Sequence, residues 1–381
     1  MPHVGMNAHL LSRQAGYRSA GIHNVIHRLL QHLPQVAHEV PAEAWHFTAL
    51  VGGAQTAHYA GVQMRRAMLD TESPLKRILW EQALQPFGLG KFDLYHALAF
   101  VSPIWVRQPM LVTVYDLTFL RYPERLSRAR RLYLQNLTPR TCQRAERILA
   151  ISQSTKDDLV ELLGIEPDKI SVTPLGYDQA RMRPLSAEQI EQFKRAKGLP
   201  ERFWLFIGTI EPRKNLPFLL EAYASLPPAK RLPLLIGGGA GWGMDELKER
   251  MAALKLEAEV RLLGFIQDEE LPFWYNSAQA FVYPSVFEGF GLPVLEALAC
   301  GTPVLTSNVS SLPEVAGKAG VCLPPDNHDA WAAALRRMAD DDAWRADLRQ
   351  AGLRQAQHFD WMQTARLTLA AYRTVLSHTR L

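Results

Sequence analysis

The sequence predicts an α/β protein built from two Rossmann-like domains, each a parallel sheet flanked by helices. Three observations carry this. The chain has 381 residues, too many for one ordinary core and suited to two domains of about 150 to 200 residues each. Short apolar runs bounded by turn residues alternate with longer helical patterns along the whole length, which is the mark of parallel sheets covered on both faces. A segment rich in Pro and polar residues, "VTPLGYDQARMRPLSAEQ" (172–189), separates two regular regions.

Taken in order, "MLVTVYDL" (110–117) and "RILAIS" (147–152) read as buried strands of the first domain. "STKDDLVELLG" (154–164) reads as a helix opening on Ser154 as its cap. The second domain opens at Phe203 with "FWLFIGT" and continues through "LPLLIGG" (232–238), "VRLLG" (260–264), "AFVYPS" (280–285) and "TPVLTS" (302–307), with "DELKERMAALKL" (245–256) as an intervening helix. The tail "HFDWMQTARLTLAAYRTVLSHTRL" is an amphipathic helix with enough apolar positions to pack on something.

Composition narrows the function. Hydrophobic residues make up 48 % and charged residues 21 %, as in a soluble globular protein. No apolar run approaches the ~20 residues needed to span a bilayer. The N-terminus "MPHVGMNAHLLSRQ" has no basic-then-apolar export pattern, so a cytosolic protein is expected. Cys142, Cys300 and Cys322 fit neither a disulfide framework nor a zinc spacing and read as reduced small hydrophobes. Charge is uneven: residues 1–176 hold 19 Lys/Arg against 14 Asp/Glu, a net of +5, and the remainder holds 23 against 24. The densest basic stretch, 124–148, contains Arg125, Arg128, Arg130, Arg131, Arg140, Arg144 and Arg147. It reads either as a solvated helix face or as a surface toward an anionic or membrane-attached partner. No nucleic-acid module accompanies it, so no nucleic-acid partner is expected.

Ligands of open α/β sheets bind at the carboxyl ends of the strands, so the candidate site residues lie just after the predicted strands. Arg213 and Lys214 follow the "FWLFIG" strand in "TIEPRKN" and precede a helix near Leu216. Two fixed cations beside loop amides and a helix N-terminus suit a diphosphate. After "AFVYPS" comes "VFEGFGLPVLEALACG", where Glu288 and Glu296 stand eight positions apart. Gly289 and Gly291 permit close backbone approach, and Pro293 suits a first helical turn. The amides of Phe290, Gly291 and Leu292 could then face an anion or sugar oxygens. Glu296 is expected in or near that first turn, where the helix dipole alone would favour it. "LIGGGAGWG" (235–243) lacks the dinucleotide spacing, and His23 and His27 lack the intervening Glu of a zinc pair, so no metal is expected. "DDD" (340–342) reads as solvated between helices.

Together, "FIGTIEPRKNL", "LLGFIQDEELPFWYNSAQAFVYPSVFEGFGLPVLEALACGTPV" and "TSNVSSLPEVAG" closely resemble the retaining glycosyltransferases of family four. Weaker likenesses, "RSAGIHNVIHRLLQHL", "RILWEQALQP", "TVYDLTFLRYPE" and "AISQSTKDDL", extend the resemblance over nearly the whole chain. It implies the GT-B architecture of two Rossmann-like domains facing a cleft. The tail is similar to the helix that crosses back in that fold, giving domains of 1–176 with 362–381 and of 177–361. The resemblance further implies that Arg213 and Lys214 bind the donor diphosphate, that Glu288 contacts donor-sugar hydroxyls, and that Glu296 holds the ribose diol. Phe290, Gly291 and Leu292 would offer amides to sugar and phosphate, Gly264, Phe265 and Ile266 would lie along the nucleobase, and Gly21 would approach the phosphates from an N-terminal loop. On the acceptor side the family usually has a His before the Asp-Leu pair; here Tyr115 stands before Asp116. Tyr can donate a hydrogen bond but carries no positive charge near pH 7, and Asp116 reads as an acceptor contact or a structural cap.

The activity so implied is metal-independent, retaining transfer of a hexose from a nucleotide-diphosphate sugar, GDP-mannose first and a UDP-sugar second. The acceptor would be a glycan or lipid-linked oligosaccharide in bacterial surface polysaccharide synthesis, reached from the cytoplasm, with the 124–148 stretch giving peripheral contact with the inner membrane face. No cofactor is expected. Two alternatives stand beside it. A nucleotide-sugar epimerase of the same fold would turn over donor without acceptor, and a non-catalytic nucleotide-sugar-binding subunit would bind donor without turnover.

Overall fold

The computed structural model describes residues 1–11, 20–39, 44–53, 55–123, 127–239 and 241–379. The chain divides into two compact units, Met1–Gly176 with Asp360–Leu381, and Tyr177–Phe359.

In the first unit, β1 (His3–Asn7), α1 (Ala20–His38), β2 (His46–Val51) and β3 (Val62–Arg66) are followed by α2 (Pro74–Leu79). A π-helical turn over Trp80–Leu84 and a 3-10 turn over Gln85–Gly88 extend α2. Then come β4 (Leu94–Ala97), β5 (Met110–Val114), α3 (Thr118–Arg121), α4 (Arg128–Arg144), β6 (Arg147–Ala150), α5 (Gln153–Leu163) and β7 (Ile170–Val172). The seven strands form one sheet in the order β3-β2-β1-β4-β5-β6-β7, and every pairing is parallel. Of these strands the sequence marks only β5 and β6. Helix α5 is capped two residues earlier than expected: its cap is Ser152, whose hydroxyl accepts from the Thr155 amide at 3.0 Å, and Ser154 lies inside the helix. Its other end closes on Gly164 in the left-handed conformation, as helix C-termini favour.

The second unit runs α6 (Ala187–Lys197), β8 (Trp204–Ile207), α7 (Leu216–Ala224), β9 (Leu234–Gly237), α8 (Met244–Ala253), β10 (Val260–Gly264), α9 (Leu271–Ser277), β11 (Ala280–Tyr283), α10 (Leu292–Ala299), β12 (Val304–Ser307), α11 (Leu312–Ala316), β13 (Gly320–Leu323), α12 (His328–Asp340) and α13 (Asp342–Ala356). Its strands order as β10-β9-β8-β11-β12-β13, all parallel. β8, β9, β11 and β12 are buried along their whole length, which is why they read as unbroken apolar runs rather than alternating ones. α6 opens on a capping box of Ser186 and Gln189 inside the Pro-rich segment. Asp340–Asp342 spans the junction of α12 and α13, where Asp341 caps α13 through the Trp344 amide.

The tail helix α14 (Trp361–Thr379) belongs to the first unit and packs on α1. Ala365, Leu369, Tyr372 and Val375 are buried in the core that α1 and the sheet build; their spacing of three and four puts them on one helix face. Tyr372 reaches through this core to His96 of β4, with hydroxyl and Nδ1 2.7 Å apart, and Nε2 of His96 pairs with Thr113 of β5 at 2.8 Å. Burial pushes His96 down to about 3, so the ring is neutral. The return falls at Asp360, two residues before the expected 362, because the chain crosses its own outgoing strand there. A Cβ on Gly176 would lie 2.2 Å from the Trp361 amide nitrogen, a contact only glycine permits. Replacing Leu369 by Ala should therefore destabilise the first unit by about 2–5 kcal/mol. Denaturant unfolding, read against a probe of the second unit, checks it: the loss should fall in the first unit's transition alone.

Candidate active site

In the second sheet the strand order reverses between β8 and β11. Loops leaving neighbouring strands at such a switch point diverge to opposite faces and open a crevice at the carboxyl ends. The loop after β8 carries Arg213 and Lys214 on a 3-10 turn, Pro212–Lys214, immediately before α7. The loop after β11 carries Glu288. The fold thus brings together charges 74 residues apart in sequence.

Glu288 is 8 % exposed and its carboxylate is fully engaged. Oε2 lies 2.6 Å from Arg213 Nη1 and Oε1 lies 2.5 Å from Lys214 Nζ. Oε1 also accepts from the Tyr283 hydroxyl at 2.9 Å and the Ser285 hydroxyl at 2.7 Å. Arg213 in turn pairs through Nε with Glu211 at 2.6 Å and donates to the Phe287 carbonyl at 2.9 Å. Lys214 donates to the Tyr283 hydroxyl, and its ammonium stands 4.7 Å from the centroid of that ring, a cation–π distance. Backbone bonds lock the two loops: the Val286 amide donates to the Arg213 carbonyl at 2.8 Å, and the Ser311 hydroxyl donates to the carbonyls of Glu288 and Phe290 at 2.8 Å each.

The electrostatics follow from this geometry. Burial pushes the Glu288 carboxyl up, but Arg213 and Lys214 outweigh it and hold the group at about 2. Burial and the neighbouring Arg213 charge bring Lys214 down to about 8, against the pull of Glu288. Arg213 is held above its ordinary value by Glu288 and Glu211 despite burial. Near pH 7 Arg213 and Lys214 are therefore both cations held against the ionised Glu288, with Arg213 also paired to Glu211.

Gly291 caps α10 at φ +109°, a left-handed conformation that suits glycine, and Leu292 and Pro293 form the first turn. Within the first turn of α10, Pro293 has no N–H and the Val294 and Leu295 amides bond the Gly291 carbonyl at 3.0 and 3.2 Å, so the Leu292 amide and those of Phe290 and Gly291 before it are the ones a ligand could meet. Glu296 is the fifth residue of α10, just past its first turn, half-buried and accepting from the Tyr275 hydroxyl at 3.0 Å. Burial raises its carboxyl to about 7 against the Tyr275 hydrogen bond, with Asp268 raising it further. Gly264 ends β10, two strands from β8, with Phe265 exposed and Ile266 buried beside it.

On the first unit the placement is different. Tyr115 follows β5 fully buried, its hydroxyl donating to the Leu98 carbonyl at 2.8 Å. The hydrogen bond it was expected to offer an acceptor is spent on the unit's own backbone. Asp116 accepts from the Thr118 amide at 2.8 Å, a cap for α3. Gly21 lies in the first turn of α1 rather than in a loop, exposed, and a Cβ there would meet nothing within 4 Å. Sequence reasoning missed Tyr283, Ser285, Ser311 and Glu211, the groups that hold the charges; "YPS" before Glu288 and "TSNVSS" downstream were the available signals. Among the described residues no group of three or more His, Cys, Asp or Glu side chains gathers as a metal site, and His27 is bonded to Tyr59 at 2.7 Å.

Removing the carboxylate leaves the buried Lys214 and the partly buried Arg213 without their shared counter-ion, so Glu288→Ala should cost the second unit about 3–5 kcal/mol. Glu296 acts oppositely. Its pKa is higher folded than unfolded, so the folded form binds more protons between about 4.5 and 7 and stability declines as pH rises through that window. Glu296→Gln should remove this decline and be the more stable protein above pH 7, as urea titrations at a series of pH values will read.

The model "Glycosyl transferases group 1" matches residues 188–355 and "Glycosyltransferase Family 4" matches residues 19–181. The chain is 36 % identical over 282 residues to the O-antigen chain mannosyltransferase B of Escherichia coli, covering 74 % of each chain. Among solved structures it is similar to a sucrose-phosphate synthase from Thermosynechococcus elongatus, with a TM-score of 0.78 at 22 % identity over 99 % of this chain and 100 % of that one. It is also similar to Anabaena HepE in complex with UDP and glucose, with a TM-score of 0.75 at 20 % identity over 98 % and 100 %. These two likenesses show the fold, that of the GT-B glycosyltransferases. With both units matched by family models and a relative aligned over three quarters of its length, the chain belongs to the family four, group 1 glycosyltransferases.

Proposed function

We propose that the chain transfers mannose from GDP-mannose to a growing glycan or lipid-linked oligosaccharide, with retention of anomeric configuration and without a metal. The observation that carries this is the Arg213–Lys214 pair, preset by Glu288 at the switch point of the second sheet. A nucleoside diphosphate leaves well when its charge is neutralised, and fixed cations with aligned amides do this without reorganising. Mannose is favoured over other hexoses by the likeness to the O-antigen chain mannosyltransferase B. The arginines of α4 and the absence of acidic residues from that helix favour an acceptor at the inner membrane face.

The mechanism needs no enzymic nucleophile. Glu288, held near full ionisation by four donors, neither takes nor gives a proton; it orients the cations, and its edge toward the sugar accepts from a hydroxyl. The leaving β-phosphate meets Arg213, Lys214 and the amides that lead into α10; the acceptor hydroxyl attacks the same face of the sugar within the ion pair as the anomeric C–O bond to phosphate breaks, and its proton passes to the departing phosphate oxygen. The ribose diol meets Glu296, and the base lies along Gly264–Ile266.

A UDP-sugar is the second reading, favoured by the likeness to HepE, whose structure holds UDP and glucose. Thermal-shift titration with GDP-, UDP- and ADP-sugars separates the two. Stabilisation by GDP-mannose should reach about 2.7 kcal/mol at a hundredfold excess over Kd and vanish in Arg213→Ala. A response to no nucleotide sugar overturns the proposal, and turnover of donor without acceptor would favour an epimerase instead. Within the site, Glu288→Gln should lower turnover by roughly 10²–10³, a larger loss than that of nucleotide binding. Glu296→Gln should chiefly weaken nucleotide binding, with the wild-type protein losing affinity below pH 7 as Glu296 protonates and the variant insensitive to pH there.

A further inference from the structure

Large apolar side chains left in water are unevenly placed in this molecule. Of the eleven among the described residues, eight lie between residues 68 and 132, all in the first unit. Five of them come from three segments that hydrogen bonds tie together. Leu75 and Leu79 stand one turn apart on α2, Ile104 and Trp105 on the loop between β4 and β5, and Leu132 on α4. Gln82, nearly one turn beyond Leu79, donates to the Ser102 carbonyl at 3.3 Å and accepts from the Ile104 amide at 3.1 Å. Tyr133, next to Leu132, hydrogen-bonds Gln82. Arg144, at the far end of α4, donates to the carbonyls of Ile104 and Val106. Leu75 is 81 % and Trp105 76 % exposed.

The same segments carry one sign of charge. α2 reads PLKRIL and α4 reads RARRLYLQNLTPRTCQR, neither with an acidic residue. Lys76, Arg107, Arg128 and Arg130 are all exposed, while Glu81, between the two helices in sequence, is buried against Asn7. Exposed apolar side chains on segments tied together by hydrogen bonds mark a contact surface, and Trp and Leu interleaved with Lys and Arg are the residues of elements that lie in a lipid interface. A purely apolar protein partner would not match the cations, and an acidic one would not match the leucines; an anionic bilayer matches both.

We propose that this face of the first unit seats on an anionic phospholipid surface, with Leu75, Leu79, Ile104 and Trp105 at the headgroup–acyl boundary and the lysine and arginines on lipid phosphates. No helix among the described residues is long and apolar enough to cross a membrane, so this is contact with one leaflet. The proposal rests on the reading of an acceptor at the membrane face, and it moves the contact from the arginine stretch alone to a surface built mainly by α2 and the 104–105 loop. Arg125, in that stretch, lies outside the described residues.

Flotation of the full chain with phosphatidylglycerol–phosphatidylcholine vesicles, and with phosphatidylcholine vesicles alone, tests it. The wild-type protein should float with the anionic vesicles. Leu79→Ser with Trp105→Ser should weaken this at least about tenfold, and Arg128→Glu with Arg131→Glu should abolish the preference for the anionic lipid. Thermal stabilisation by nucleotide sugar should be unchanged in both variants, which shows that they are folded. A wild-type protein that stays with the pellet, or variants that float as it does, would overturn the proposal. So would loss of a wild-type dimer in the Leu79→Ser, Trp105→Ser variant by sedimentation without vesicle binding, which would give the face to a second copy of the chain. Vesicle binding with no response to any nucleotide sugar would leave this surface standing and remove the transferase reading.

Discussion

Everything in the second unit that bears on chemistry depends on one buried carboxylate. Glu288 binds the loop after β8 to the loop after β11 through Arg213 and Lys214. Two cations so close in a buried site repel, and burial alone disfavours their charge. Without the acid, Lys214 would lose its proton or swing into solvent, and the site would lose part of its positive field. The hydroxyls of Tyr283 and Ser285 add hydrogen bonds to Oε1, which a buried ion pair requires if it is to offset its desolvation. The acid is thus better described as the counter-ion that presets two cations than as a hydroxyl-binding group alone.

The sheet supplies the rest of the arrangement. A parallel sheet whose order reverses at its centre sends two adjacent loops apart, and the second unit places its cations on one and its carboxylate on the other. The residues that space them are unremarkable in sequence: a 3-10 turn, a glycine with positive φ and two serines. Similar logic runs through the first unit, where the returning α14 completes the core over β1, β4 and α1, and a neutral His96 ties it to the central strands. There Tyr115 and Asp116 serve the fold in the geometry observed, one bonded to Leu98 and the other capping α3.

Much of this was legible in the sequence, and the remainder was not for identifiable reasons. Buried parallel strands leave continuous apolar runs, so β8, β9, β11 and β12 could be read directly, as could β5 and β6. β1, β3 and β13 could not: HVGMN, VQMRR and GVCL mix polar, small and apolar residues, and only their neighbours in the sheet make them strands. The charged residues of the site were visible because a pair of cations after one strand and an acid after another are local patterns. Their partnership was not, because it spans 74 residues and is fixed by topology. The cap of α5 moved from Ser154 to Ser152, since two serines two residues apart offer the same local signal and the packing chooses between them.

The central claim, that Glu288 and Arg213 act as one preset unit, is tested most directly by a double-mutant cycle. Glu288→Ala, Arg213→Ala and the double variant would be compared by urea unfolding of the second unit, with isolated lysine modification following the Lys214 ammonium. The account predicts that the double variant loses less stability than the two single variants together, with a coupling of about 1.5–3 kcal/mol. Strict additivity of the two losses would contradict it.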